Sequence, residues 1–250
     1  TAALPNGGSG IYSGMASAVI VGGSGANDRN IISGNTQNGI EIYGSQATGN
    51  HIRGNFIGTN PTGDAAIPNG WNGIALGYGA HDNAIGGEYL GAGNLISGNT
   101  QNGIIIGGDG SDNNLVMGNV IGLAADGLTT LANQDYGIYV TNFAEGTIIG
   151  GDDLISDGDL DTYSRNVISG NQDAQVMIFI SNSNLVIGNY IGTDITGLAA
   201  PSVPGGPGVF LQSGSSDNIV GMCAEFMGNV ISGNAVSYTH LAGDSQMTLP

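Results

Sequence analysis

Asn83-Ala-Ile-Gly86, Asn94-Leu-Ile-Ser-Gly-Asn99 and Gly103-Ile-Ile-Ile-Gly107 follow one another in a single short stretch of the chain. Each piece is a run of apolar, mostly β-branched residues closed by Gly or Asn, which reads as a strand of three to five residues. No window sustains a 3.6-residue apolar period, and charges at helix-pairing spacing are missing. The whole stretch then recurs. Asn30-Ile-Ile-Ser-Gly-Asn35 returns at Asn94, as Asn166-Val-Ile-Ser-Gly-Asn171 and as Asn229-Val-Ile-Ser-Gly-Asn234. A second motif, Gly54-Asn-Phe-Ile-Gly-Thr59, returns as Gly118-Asn-Val-Ile-Gly-Leu123 and Gly188-Asn-Tyr-Ile-Gly-Thr193. The long period of 63 to 72 residues splits into two related halves.

Three short strands per half, repeated head to tail, make one turn of a three-faced coil. The expected fold is all-β: a single-stranded right-handed parallel β-helix of about eight turns, three short strands per turn. Residues 1–234 carry the repeat, and residues 235–250 read as a non-repeat tail or cap. The central Ile of each piece, such as Ile57, Ile96 and Ile121, should stack into an interior ladder. Gly and Asn fall at corners, where positive φ is needed and stacked Asn side chains can bond one another from turn to turn. The chain opens inside a turn, with Leu4-Pro-Asn-Gly aligned on Ile67-Pro-Asn-Gly, so a piece of a longer array is expected. Open ends of such a stack would invite another chain.

Composition bounds the function. The 250 residues hold three arginines, no lysine and 20 acids, for a net charge of −17, and 47 glycines. Three scattered cations cannot neutralise a nucleic-acid backbone or dock on anionic lipid. No apolar run is long enough to span a bilayer as a helix. Cys223 is the only cysteine, which excludes an internal disulfide and a thiolate metal cluster and reads as a small hydrophobe.

The string Arg29-Asn-Ile-Ile-Ser-Gly-Asn-x-x-x-Gly-Ile40, with Gly54-Asn-Phe-Ile-Gly-Thr59 one turn on, resembles the parallel β-helix repeats of large bacterial surface and secreted proteins of adhesin-like type, within the pectate-lyase-like superfamily. That resemblance implies an extracellular or cell-surface protein, and it is specific for fold rather than for activity. Enzymes of the superfamily would need features absent here. Lyases use Ca²⁺-bound carboxylates with a basic Arg or Lys. Hydrolases carry paired Asp with Gly-His-Gly, and alginate epimerases carry Asp-Pro-His. The best basic pair is His51 and Arg53, which should project from one outer face with no carboxylate nearby in sequence. Arg29 and Arg165 hold equivalent repeat positions and read as corner residues.

Two features remain as candidate sites. The unique loop Asp152–Arg165 carries Asp157, Asp159 and Asp161 in alternation, a hard-oxygen set that would suit Ca²⁺; the competing reading is a solvated acidic loop. Outward positions of the Gly-Ile-x-Ile strands run Tyr12, Glu41, Ala75, Ile105, Tyr139, Met177 and Phe210, and a second outward ladder runs Ile31, Phe56, Leu95, Val120, Val167, Tyr190 and Val230. A contiguous apolar stripe marks an interface. Tyr12, Ile105, Tyr139, Met177 and Phe210 are therefore candidate interface residues, facing neighbouring rods, a covering segment or sugar rings, unless the facing is reversed on one strand. The sequence reads as a non-catalytic extracellular structural or adhesive rod, self-associating end to end or laterally, with copies of itself as partners. The alternative is a carbohydrate-binding or carbohydrate-active β-helix with a polysaccharide partner.

Overall fold

The computed structural model describes residues 4–25, 27–151, 163–222 and 228–234. These form a right-handed parallel β-helix of three sheets with seven strands each. The first sheet stacks Ile11–Gly14, Ile40–Tyr43, Ile74–Gly77, Ile104–Gly107, Ile138–Thr141, Val176–Phe179 and Val209–Gln212. The second runs from Ile20–Gly22 through His51–Arg53 to Ile219–Val220, and the third from Ile31–Ile32 to Val230–Ile231. Every pairing is parallel and couples a strand to its counterpart one turn away. At roughly 4.8 Å per turn the stack is about 30 Å long.

The described residues make seven turns where the sequence suggested about eight. The turns are unequal: first-sheet strands start 29 residues apart between Ile11 and Ile40 but 38 apart between Ile138 and Val176. Corner loops take up the chain that an even division assigns to an extra turn.

The interior is a dry column of aliphatic side chains. In the first sheet the first and third residues of each strand point inward, so Ile74, Leu76, Ile104, Ile106, Ile138 and Val140 are buried while the second residue stays partly exposed. Ile52, Ile85, Val116 and Ile149 continue the column from the second sheet, and Ile57, Ile96, Ile121, Ile168 and Ile191 from the third. Each buried side chain contributes about 1.5–3 kcal/mol of transfer free energy. The column is narrow enough that branched aliphatics fill it without aromatic residues.

Asparagine ladders hold the corners. Along one edge Asn30, Asn55, Asn94, Asn119, Asn166 and Asn189 each donate a carboxamide N–H to the Oδ1 of the next, and the run ends on Asn229. Along another, Asn6, Asn35, Asn69, Asn99, Asn133 and Asn171 do the same and end on Gln175. The same Oδ1 atoms also accept backbone N–H groups, as Asn119 does from Asn94. Corner residues leave the sheet ladders and would strand polar groups in a buried place; one carboxamide per turn satisfies them.

The loops that follow every second third-sheet strand, 60–71, 124–136 and 194–208, close over the outer side of that sheet. Gly63 lies against Phe56 and Leu95, Gly127 against Ile195, and Gly197 against the Tyr190 ring. These loops bond to one another along the axis, with Ala125 N donating to Gly63 O and Ile195 N to Gly127 O. The Arg29 guanidinium lies 3.9 Å from the Phe56 ring centroid and that of Arg165 4.3 Å from Tyr190. The second outward ladder is therefore covered by the chain's own loops and arginines, with Leu95 and Val167 buried. It is exposed only at Ile31 and Val230, in the outermost turns. The arginines expected at corners are there, seated on aromatic faces.

Candidate functional site

The second residues of the first-sheet strands, apart from Met177, are at least partly exposed, as are the first residues of the second-sheet strands. Tyr12, Glu41, Ala75, Ile105, Tyr139, Met177 and Phe210 stand in one register column along the first sheet. Tyr12 is exposed, and Ile105, Tyr139 and Phe210 are half-exposed. Met177 departs from the expected exposure: it faces outward in register yet is only 2% exposed, between Tyr139 on one side and Phe210 on the other. Large side chains in adjacent turns, about 4.8 Å apart, close over a neighbour that lies between them. That end of the face is filled by large side chains.

The other end is hollow. Small residues at Ala75, Gly77 and Gly107 leave a trough of about 440 Å³ bounded by Glu41, Tyr43, Tyr78, Ile105 and Thr141. The Tyr43 and Tyr78 rings pack against each other with centroids 4.4 Å apart and planes tilted by 37°. Tyr78 lies 71% exposed at its edge. Glu41 Oε2 accepts from Ser9 Oγ at 2.7 Å and from Asn38 Nδ2 at 3.1 Å. Asn38 is itself the end of a short amide chain, in which Asn102 donates to Asn72 and Asn72 to Asn38. The Thr141 hydroxyl is buried and has no hydrogen-bond partner.

Beside this face two carboxylates occupy successive turns. Asp173 N donates to Asp135 O at 3.0 Å, which fixes the stacking. Burial first, and the Asp173 charge second, push the Asp135 carboxyl above its usual range. Tyr136 is raised mainly by burial and then by Asp173; its ring lies 5.0 Å from that of Tyr139. A folded-state pKa raised above the unfolded value contributes stability below the unfolded pKa, and that contribution is lost as pH rises through the folded one. Asp135→Asn should therefore raise the melting temperature at pH 7 by about 1–2 °C and leave it unchanged near pH 3. Equal shifts at the two pH values would contradict the charge-based account.

Asp157, Asp159 and Asp161, and Cys223, fall outside the described residues. Among the described residues no group of three or more His, Cys, Asp or Glu could hold a metal ion. His51 and Arg53 flank the buried Ile52 on the second sheet, His51 exposed and Arg53 half-buried. His81 Nδ1 meets Asp82 Oδ2 at 2.7 Å on an exposed corner. These positions are not assembled with the trough.

Tyr43, Tyr78 and Thr141 were not singled out by sequence. Reading the fourth strand position as a second outward column would have found Tyr43 and Thr141. Tyr78 sits just past its strand at φ 53°, where the repeat pattern gives no guide. No protein-family model, curated protein or solved structure matches the chain.

Proposed function

We propose that the protein is a non-catalytic structural and adhesive rod of the cell exterior, of the adhesin-like kind its repeats resemble within the pectate-lyase-like superfamily. On this reading it associates side by side with copies of itself through the outer face of the first sheet. The observation that carries the reading is the apolar stretch Tyr139–Met177–Phe210, held in register from turn to turn. Several features support it. The buried asparagines are spent on corner ladders, which leaves few polar side chains for chemistry. The third sheet is covered by the chain's own loops, whereas the second residues of the first-sheet strands, apart from Met177, stay at least partly exposed. Lysine is absent and the net charge is −17, a composition that suits solubility outside the cell and excludes nucleic-acid partners.

A second copy suits this stretch because the same apolar column on each rod can meet its equivalent about a two-fold axis. The net charge of each rod opposes the contact, and salt screens that repulsion over a Debye length of about 8 Å at physiological strength. Light scattering should therefore show mass rising with protein concentration and with salt. Tyr139→Glu combined with Phe210→Glu should return the protein to monomer without unfolding it, since both side chains lie outside the core. Monomers at every concentration and salt, or assembly indifferent to the double substitution, would overturn the proposal.

A further inference from the structure

We propose that Asn6-Gly7 is a covalent modification site, where the chain deamidates itself and releases the first rung of an asparagine ladder. The inference lies apart from the first-sheet face and goes beyond the self-association reading.

Asn-Gly occurs five times, at positions 6, 38, 69, 72 and 102. In such a pair the glycine nitrogen can attack the preceding side chain, because no Cβ stands in the way. The fold treats the five pairs differently. At four of them both reacting groups are engaged. Asn38, Asn69, Asn72 and Asn102 are buried. Each of their carboxamides bonds through oxygen and nitrogen alike: Asn69 accepts from Asn35 Nδ2 and donates to Asn99 Oδ1, and Asn72 accepts from Asn102 Nδ2 and donates to Asn38 Oδ1. Asn38 also donates to Glu41, and Asn102 accepts from Tyr136 N. The glycines that follow are tied down as well. Gly39 N donates to Asn72 O, Gly70 N to Asn35 O, Gly73 N to Asn102 O and Gly103 N to Tyr136 O. Attack at any of these pairs requires the turn to open first.

Asn6-Gly7 has neither restraint. Both residues are exposed. The Gly7 N–H donates to no atom among the described residues. A Cβ at Gly7 would meet nothing within 4 Å, so solvent base has a clear approach to the nitrogen. Asn6 itself is a rung: its Nδ2 donates to Asn35 Oδ1 at 2.8 Å, and its carbonyl accepts from Thr36 N and Thr36 Oγ1.

The step balances with water as the only co-reactant. Solvent base takes the Gly7 N–H proton, the nitrogen bonds to Asn6 Cγ, and the Cγ–Nδ2 bond breaks with loss of ammonia. Water then opens the cyclic imide at either carbonyl and leaves aspartate or isoaspartate. Neither product restores the rung. A carboxylate at position 6 sets acceptor against acceptor at Asn35 Oδ1. Isoaspartate also routes the main chain through the former side-chain methylene, which displaces the carbonyl bonded to Thr36.

The test is peptide mapping by mass spectrometry of the intact folded chain, aged in mildly alkaline water labelled with heavy oxygen. Position 6 should become acid, carry one labelled oxygen and appear in both aspartate and isoaspartate forms. It should convert at least about a hundredfold faster than positions 38, 69, 72 and 102, whose groups must first be exposed. The same chain aged in denaturant is the reference, in which all five pairs should convert at comparable rates. Gly7→Ala should slow conversion at position 6 about tenfold, since the added Cβ hinders the attack, and the space around it leaves the fold intact. Asn6→Asp should speed hydrogen exchange through Ile11–Gly14 severalfold and leave the strands from Ile74 onward unchanged. Conversion at position 6 no faster than at the other four, no acid there in a folded sample while the denatured chain converts, or a rate indifferent to Gly7→Ala would overturn the modification site. Exchange unaltered by Asn6→Asp would overturn the release of the rung.

Discussion

Asn119→Leu should cost the fold about 4–8 kcal/mol, a large share of the 5–15 kcal/mol that holds a typical domain. The Asn119 carboxamide accepts from Asn94 N and Asn94 Nδ2 and donates to Ile85 O, Met117 O and Asn166 Oδ1. All are buried or nearly so. Leucine matches its size and makes none of these bonds, so several groups are left unpaired in a dry corner, each costing about 1–3 kcal/mol. Asn119→Asp adds a sign that can be checked. The carboxylate would face the Ile85 and Met117 carbonyls and the Asn166 Oδ1, all acceptors, so its folded pKa must rise above the unfolded value of about 3.9. The protonated acid can donate one bond again. The deficit of this variant should be smallest below about pH 4 and grow as pH rises through the raised pKa. Chemical denaturation of the parent and both variants at pH 3.5 and pH 7 measures it. A loss under 1 kcal/mol for Asn119→Leu would mean that the ladder does not stabilise the coil.

Gly86→Val is expected to be comparably damaging, for a backbone reason. Gly86 adopts φ 89° at the end of a second-sheet strand, and a Cβ there would run into the Met117 carbonyl and the Asn119 carboxamide one turn away. The left-handed conformation costs a β-branched residue about 1–2 kcal/mol or more. Relieving the collision adds about 1–3 kcal/mol. Gly49 is the control: its φ is 65°, but a Cβ there meets nothing within 4 Å. Gly49→Ala should lose only the conformational part, about 1 kcal/mol. If the two substitutions cost the same, the close stacking of glycine under asparagine is not what fixes the corner.

These two residues show why so much of the coil was legible. Asn119 and Gly86 belong to motifs that repeat because every turn meets the same problem, a corner backbone with unpaired polar groups and no room for a side chain. Repetition of the physical demand produces repetition of the sequence. The strand residues follow the same logic: Ile57, Ile96 and Ile121 recur because one column must be filled turn after turn. What lies outside the repeat was harder to read. Asn69 and Asn133 complete a ladder begun by Asn35 and Asn99; Asn69 shares the Pro-Asn-Gly of Asn6, but Asn133 sits in Leu131-Ala-Asn-Gln134, where no motif marks it. The coverage of Phe56 and Leu95 by Gly63 was hidden because a loop's direction is set by tertiary contacts, not by its composition. Met177 alternates outward as the pattern demands, but its burial depends on Tyr139 and Phe210 in neighbouring turns, which a single strand does not reveal. The trough was hidden for the opposite reason: Ala75, Gly77 and Gly107 create it by what they lack. Glu41 was visible as an outward residue, and only the amide chain behind it marks it as held in place.

The first-sheet face is the surface on which this account stands, and its direct test is a photo-crosslinker placed at position 139 in the otherwise unchanged chain. Irradiation at a concentration where light scattering shows association should yield dimers. Their crosslinked peptides should come from the first-sheet strands of the second copy, around Val176–Phe179 and Val209–Gln212. Dimers linked instead to second-sheet strands such as Leu115–Met117, or an absence of crosslinked dimer in an associated sample, would contradict the account.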